Sequence, residues 1–190
     1  MKDIILSGIQ GSGKGTQAKL LLERFGETMK YCEMGDVLRT LQMSDNAIGN
    51  YLVSYTQRGL LIKPEIISSL RGVFMVTIQE NEVILGDGVL RMMGQTLPIV
   101  QQMRDKERSF VVVNIEITEE EVWKRIAKRN QTSHRLDDAD QQAIKNRIEA
   151  FYRDTVPALE RLDEQGVLVR VDGMRSEAEI FADILKIVQN

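Results

Sequence analysis

Short apolar runs alternate along the chain with longer segments in which apolar residues recur at helical spacing. A weak strand candidate lies at Met29 to Cys32, and four clearer ones are Asp3 to Ser7, Glu82 to Leu85, Phe110 to Ile115 and Val167 to Val171. The continuous apolar character of Phe110 to Val113 suits a strand covered by helices on both faces. The pattern therefore predicts an α/β fold with a mostly parallel, five-stranded sheet flanked by helices.

Eight further segments have the apolar spacing of helices. They are Gly15 to Phe25, Gly35 to Gln42, Asn46 to Gln57, Pro64 to Gln79, Met92 to Arg104, Thr118 to Arg129, Asp138 to Leu162 and Ser176 to Val188. Pro64 and Asp138 are suitable helix starts, and Gln141, three residues after Asp138, completes a sequence similar to a capping box. Because no internal repeat or low-complexity linker interrupts the pattern, we expect one domain over residues 1–190.

The composition excludes several classes of protein. With 43% hydrophobic and 28% charged residues, the chain is neither disordered nor collagen-like, and its single cysteine, Cys32, excludes a disulfide framework. A net charge of −3 argues against broad nucleic-acid binding. No apolar run reaches the roughly 18 residues of a membrane span, and the chain does not start as a secretion leader does. We therefore expect a cytoplasmic protein that is neither secreted nor membrane-bound.

A glycine-rich loop follows the first predicted strand and leads directly into a helix. The loop reads Gly8-Ile9-Gln10-Gly11-Ser12-Gly13-Lys14-Gly15-Thr16, which is a P-loop in its required context. Its glycines let successive N–H groups converge on phosphate oxygens, the helix N-terminus adds partial positive charge, and Lys14 adds a full one. Thr16 stands where a dinucleotide-binding loop needs its third glycine, so the pattern does not favour a nicotinamide cofactor.

The loop resembles that of adenylate kinases and related nucleoside monophosphate kinases. Gly15 occupies the position where most P-loops carry a Mg²⁺-binding Ser or Thr, and Thr16 comes one residue later. The resemblance continues in order and spacing over nearly the whole chain. It covers Gly35-Asp36-Val37-Leu38-Arg39, Gly59-Leu60-Leu61-Ile62, Asp87-Gly88-Val89-Leu90-Arg91 with Gln95, Arg125 through Arg129, Arg135-Leu136-Asp137-Asp138, Arg147 and Asp172-Gly173-Met174-Arg175.

This resemblance implies a reversible transfer of a phosphoryl group from ATP to AMP, giving two ADP, with nucleotides as the only partners. By family position, the ATP-binding residues would be Gly11, Ser12, Gly13, Lys14, Gly15, Thr16, Arg125, Arg129 and Arg175. The AMP-binding residues would be Met34, Arg39, Leu60, Ile62, Gly88, Arg91, Gln95, Arg135 and Arg147. The catalytic residues would be Lys14, Arg91, Arg129, Arg135 and Arg147.

Arginine suits this chemistry because its planar guanidinium is always charged and donates to phosphate oxygens two at a time. Arg125 and Arg129 share a helix face, and a bound polyphosphate would offset the repulsion between them. Their residue types alone leave another interpretation open, in which Glu121 pairs with Arg125 on a solvated surface.

The resemblance also implies Mg²⁺ bound with ATP, without a direct protein ligand. Asp87, at the end of an apolar run, would position the hydrated ion, and Asp36 would be a second acid acting through water. The family architecture adds two attachments to the sheet, a helical NMP-binding segment at residues 34–63 and a lid at residues 129–136. The lid is the short form, and many short-lid relatives are monomers.

Three departures from the family pattern concern the acceptor base. Adenylate kinases usually have Thr or Ser at the position of Met34, whereas pyrimidine nucleotide kinases often have an apolar residue there. Val89 and Leu90 replace the usual Phe-Pro before Arg91, and Lys63-Pro64-Glu65 differs slightly from the usual run after the Gly59 motif. Gln95 favours adenine, because the matching family glutamine hydrogen-bonds its edge. The sequence predicts AMP as acceptor and leaves UMP or CMP as the alternative.

Two other classes of function use the same phosphate loop. A GTPase-type switch would need the guanine-reading Asn-Lys-x-Asp, which the chain lacks. A catalytically idle nucleotide-binding scaffold would not need arginines at every family position. Both are therefore less favoured than a kinase.

Overall fold

The computed structural model describes residues 1–131 and 140–189. Their centre is a five-stranded sheet with the strand order β2-β3-β1-β4-β5, in which all four pairings are parallel. The strands are β1 (Asp3–Ser7), β2 (Met29–Glu33), β3 (Val83–Asp87), β4 (Phe110–Glu116) and β5 (Leu168–Asp172). The predicted α/β class and the five strand positions are confirmed, including the weak candidate that became β2.

Helices cover both faces of this sheet. They are α1 (Lys14–Phe25), α2 (Met34–Gln42), α3 (Ala47–Thr56), α4 (Pro64–Val76), α5 (Met93–Asp105), α6 (Glu119–Asn130), α7 (Gln141–Ala150), α8 (Val156–Glu164) and α9 (Glu177–Gln189). A 3-10 turn at Gly26–Thr28 links α1 to β2. Along the described part of the chain, none of these helices has both the length and the apolar character that a membrane span requires.

The alternation of side chains along β1 divides the core into two layers. Ile5 packs towards α5 and α8, where Ile99 and Leu159 are buried with it. Ile4 and Leu6 point to the opposite face and join the cluster that includes residues of α1 and α9. Because β1 lies at the centre of the sheet and is buried on both faces, its ends hold the adjoining loops in fixed positions.

A buried ion pair fixes the amino-terminal edge of the sheet. Asp3 at the start of β1 is 3% exposed, and its Oδ1 accepts from the Ile84 amide of β3 at 2.8 Å. The Arg108 guanidinium, just before β4, donates to the same carboxylate, with Nη2 at 2.8 Å from Oδ1. The pair thus joins β1, β3 and the approach to β4.

One predicted helix, Asp138 to Leu162, differs in the structure. It begins at Gln141, where the Asp140 carboxylate caps the Gln142 amide at 2.9 Å, and Asp138 lies outside the described residues. The helix is also interrupted by a π turn at Phe151–Thr155, so α7 and α8 are separate elements. Pro157 follows the turn and has no N–H to donate to the carbonyl four residues earlier, which favours this local change of hydrogen bonding.

Candidate functional site

The phosphate loop joins the end of β1 to the first residue of α1. Gly8, Gly11 and Gly13 have positive φ angles of 140°, 78° and 99°. At Gly8 a side chain is also excluded by space, because an added Cβ would lie 2.5 Å from the Ile115 carbonyl oxygen. Gly13 is the residue before α1, so the loop presents its amides at a helix N-terminus, as an anion-binding loop requires.

The Lys14 ammonium lies back over this loop. Its Nζ donates to the carbonyl oxygens of Gly8 at 2.8 Å and Ile9 at 3.1 Å, and to Ser12 Oγ at 3.4 Å. Burial lowers the pKa of Lys14 from 10.5 to about 8. The ammonium is therefore held by neutral acceptors that a phosphate oxygen, carrying full charge, could replace.

Charged groups from separate elements converge on Lys14. The carboxylates of Asp87 and Glu33 raise the pKa of Lys14, whereas Arg91 and Arg129 lower it. Asp87 and Glu33 end neighbouring strands and are partners in the parallel register of β2 and β3. The structure thus brings together three predicted catalytic cations and the predicted Walker-B-like acid at the carboxyl edge of the sheet.

Glu33 belongs to the site, although sequence reasoning did not identify it. Its Oε1 accepts from Arg39 Nη2 at 2.7 Å, and its Oε2 accepts from the Tyr31 hydroxyl at 3.5 Å. The same Arg39 nitrogen lies 3.4 Å from Asp36 Oδ1. Burial, followed by the charges of Asp87 and Glu33, raises the pKa of the Tyr31 hydroxyl well above its ordinary value. The available signal was positional, since Glu33 ends its strand as Asp87 ends the next.

Arg91 lies between β3 and α5, and Gln95 lies in the first turn of α5. The exposed Arg91 guanidinium lies over Gly88, where an added Cβ would be 2.9 Å from its Nη2. The Gln95 side chain is 2% exposed, and its Oε1 accepts from the backbone amides of Arg91 at 2.6 Å and Met92 at 3.2 Å. The carbonyl end of Gln95 is therefore occupied by the start of α5.

Two arginines connect the phosphate loop to other elements. Arg125 Nε donates to Glu121 at 2.7 Å, so the ion pair left open by the sequence is present, and its Nη2 donates to the Gly173 carbonyl at 2.8 Å. Arg147 Nη1 donates to Gln10 Oε1 at 3.3 Å. Gln10, a loop residue that the sequence did not single out, also donates to the carbonyl of Ile144 in α7 at 3.2 Å.

The remaining predicted residues lie in several environments. Met34 and Ile62 are buried in the core beside Leu52, whereas Leu60 is half-buried. Gly15 and Thr16 are exposed on the first turn of α1. Ser12 is fully buried beneath the loop.

Among the described residues, Arg175 stands apart from this cluster of charges. Arg175 donates to Asp183 at 2.6 Å, after the end of β5. Arg135 and most of the predicted lid, at 132–136, lie outside the described residues.

Comparisons with known proteins agree over most of the chain. The model of the family described as adenylate kinase matches residues 6–167. An adenylate kinase of Phocaeicola vulgatus is 28% identical over 190 residues, covering 100% of this chain and 99% of that protein. One from Parabacteroides distasonis is 28% identical over 191 residues with the same coverage. Adenylate kinase isoenzyme 1 of Bos taurus is 29% identical over 188 residues, covering 96% of this chain and 92% of its own.

Proposed function

Since the chain belongs to the adenylate kinase family, we propose that it catalyses the reversible transfer of a phosphoryl group from Mg-ATP to AMP, giving two ADP. As a member it is a nucleoside monophosphate kinase, a phosphotransferase. The observation that carries the specific proposal is the convergence of Lys14, Arg91 and Arg129 beside Asp87 at the mouth of the phosphate loop.

The donor triphosphate would lie against the loop amides and the N-terminus of α1. Lys14 would exchange its carbonyl partners on Gly8 and Ile9 for phosphate oxygens. A bound phosphate would stabilise the charged form of Lys14, which burial disfavours. Phosphate binding and protonation of Lys14 would therefore favour each other.

Phosphoryl transfer needs little covalent chemistry from the protein. It requires two nucleotides held in line and cations at the oxygens on which charge develops. Arg91 approaches Lys14 from the segment before α5 and Arg129 from α6, and Arg147 approaches the loop through Gln10. We propose that these arginines hold the acceptor phosphate and the transferred group, with Arg135 joining them from the lid.

We propose that Mg²⁺ enters with ATP and has no direct protein ligand. Nowhere in 1–131 or 140–189 do three His, Cys, Asp or Glu side chains form a group that could hold a metal. Mg²⁺ retains several waters and binds substrate phosphates, and it would neutralise charge on the transferring oxygens. Asp87, buried at the end of β3 within electrostatic reach of Lys14, would accept hydrogen bonds from those waters.

The acceptor is proposed to be AMP, which the names of the relatives support over a pyrimidine nucleotide. Gln95 would offer its Nε2 as a donor to the base, since its Oε1 accepts from the backbone amides of Arg91 and Met92. Residues 34–63 would form the acceptor-binding segment and residues 129–136 a short lid. We further propose that the enzyme acts as a cytoplasmic monomer, with Cys32 buried and unpaired.

A coupled assay of ADP formation tests the proposal with ATP and each of AMP, UMP, CMP and GMP. We expect AMP to be the preferred acceptor by at least about tenfold in kcat/KM, because a site that hydrogen-bonds one base discriminates against another. Lys14→Ala, purified in parallel, should lose at least about 10³-fold in kcat/KM and so expose any contaminating kinase. Preference for UMP or CMP would contradict the acceptor assignment, and near-normal turnover by Lys14→Ala would contradict the phosphate-loop assignment.

A further inference from the structure

The Arg91 backbone is held at both of its polar groups. Its N–H donates to Gln95 Oε1 at 2.6 Å, and its carbonyl oxygen accepts from the Thr155 hydroxyl at 2.8 Å. Gln95 is four residues away along the chain, whereas Thr155 is separated from Arg91 by 64 residues. Residue 91 is therefore tied to a turn that is distant in sequence but packs beside it.

Thr155 has few alternatives to this contact. Its side chain is 4% exposed, and it is the last residue of the π turn at Phe151–Thr155. The turn is defined by the Val156 amide, which donates to the carbonyl of Phe151, five residues earlier. A π turn adds a residue to the helical repeat and so changes the direction in which its side chains point. Such turns occur frequently at functional sites.

The Arg91 segment depends on such external contacts. Residues 88–92 lie between β3 and α5, outside any helix or strand. Val89 and Leu90 are buried and anchor the segment in the core, but the Arg91 side chain is exposed. A long exposed side chain has many rotamers, so the position of its backbone decides which of them reach the site.

We propose that Thr155 is a positioning residue for the kinase reaction. Its hydroxyl fixes the Arg91 carbonyl and, with Gln95 on the amide, aims the Arg91 guanidinium at the phosphate of the acceptor nucleotide. The inference rests on the proposed function for the identity of that phosphate. It adds a role for the π turn, which none of the sequence motifs indicates.

Kinetics of Thr155→Val and Thr155→Ser test this role. Valine keeps the volume but removes the hydroxyl, so we expect the KM for AMP to rise about tenfold, since a small misplacement of a binding group is costly. The KM for ATP should stay within about twofold, because the phosphate loop is unchanged. Thr155→Ser keeps the donor and should restore most of the affinity for AMP.

Thr96→Val is the matched control. Thr96 is 1% exposed, and its hydroxyl donates at 3.4 Å to the carbonyl of Met92, the N-cap of its own helix. It is thus a buried threonine near the same segment without a bond to Arg91. If Thr155 only stabilises the fold, both valine variants should lower the Tm without a selective change in the KM for AMP.

A double mutant separates an effect through Arg91 from an independent one. If Thr155 acts through the Arg91 side chain, adding Thr155→Val to Arg91→Ala should raise the KM for AMP by less than about twofold. A KM for AMP unchanged in Thr155→Val, or full additivity with Arg91→Ala, would overturn the inference.

Hydrogen exchange in the nucleotide-free protein keeps the test independent of activity. The Arg91 amide should exchange at least about tenfold faster in Thr155→Val than in wild type or Thr96→Val, because the Arg91 backbone then loses the hydrogen bond at its carbonyl oxygen. Equal protection of the Arg91 amide in all three proteins would refute the inference that Thr155 fixes the Arg91 backbone. An inactive wild-type protein with the expected exchange pattern would instead refute the proposed function.

Discussion

At the scale of single residues, the site is dominated by one ammonium with a lowered pKa. Lys14 titrates near pH 8 because burial disfavours its charge more than Asp87 and Glu33 favour it. The role of Lys14 could be predicted from the sequence, since glycines and a lysine at this fixed spacing are typical of a phosphate-binding loop. Gln10 and Thr155 were missed because their partners lie far away in sequence, and Glu33 because its position beside Asp87 depends on the register of β2 and β3.

The pKa of Lys14 predicts proton uptake on nucleotide binding. At about pH 9 most Lys14 side chains are neutral in the free protein, and a bound phosphate raises their pKa, so each ATP bound should take up close to one proton. At about pH 7 Lys14 is already charged and contributes almost none. Cys32, whose pKa burial raises to about 11, stays protonated at both values.

Calorimetry of ATP binding in buffers with different ionisation enthalpies measures this uptake. Lys14→Arg is the control, because its guanidinium keeps the positive charge and does not titrate in this range. The extra proton taken up at about pH 9 should be absent from Lys14→Arg. Equal uptake by both proteins would mean that another group titrates.

At the scale of elements, the strands and most helix positions followed from the sequence because apolar spacing is set by the geometry of each element. The start of α7 did not, since Asp138 and Asp140 are both good caps and only the tertiary structure selects between them. The π turn at Phe151–Thr155 also lacked a signal, because Pro157 is compatible with an ordinary helix start.

The buried pair of Asp3 and Arg108 should control the stability of the sheet. Arg108→Ala leaves the Asp3 carboxylate buried with the Ile84 amide as the one hydrogen-bond partner of its side chain in the described part of the chain, so we expect the free energy of unfolding to fall by about 3 kcal/mol. Urea denaturation measures the change. Arg161→Ala, which breaks an exposed pair with Glu164, should cost less than about 1 kcal/mol. Equal effects would show that burial of the first pair is unimportant.

At the scale of the whole molecule, the parallel strands place the charged residues of the site at one edge of the sheet. A net charge of −3 gives no indication of an anion site, yet Lys14, Arg91 and Arg129 meet where the strands end. The family motifs made this convergence predictable, because the order of the sheet places β1 and β3 side by side. Residues such as Met34 were harder to interpret, since burial in the core is not visible in a motif.

The most direct test of the central claim is phosphorus NMR of the purified protein supplied only with Mg-ADP. An adenylate kinase converts two ADP into ATP and AMP, so both nucleotide sites must accept adenine for the signals of ATP and AMP to appear. We expect ATP and AMP in equal amounts from the wild type and none from Lys14→Ala. Unchanged ADP with the wild type, or equal conversion by both proteins, would contradict the assignment.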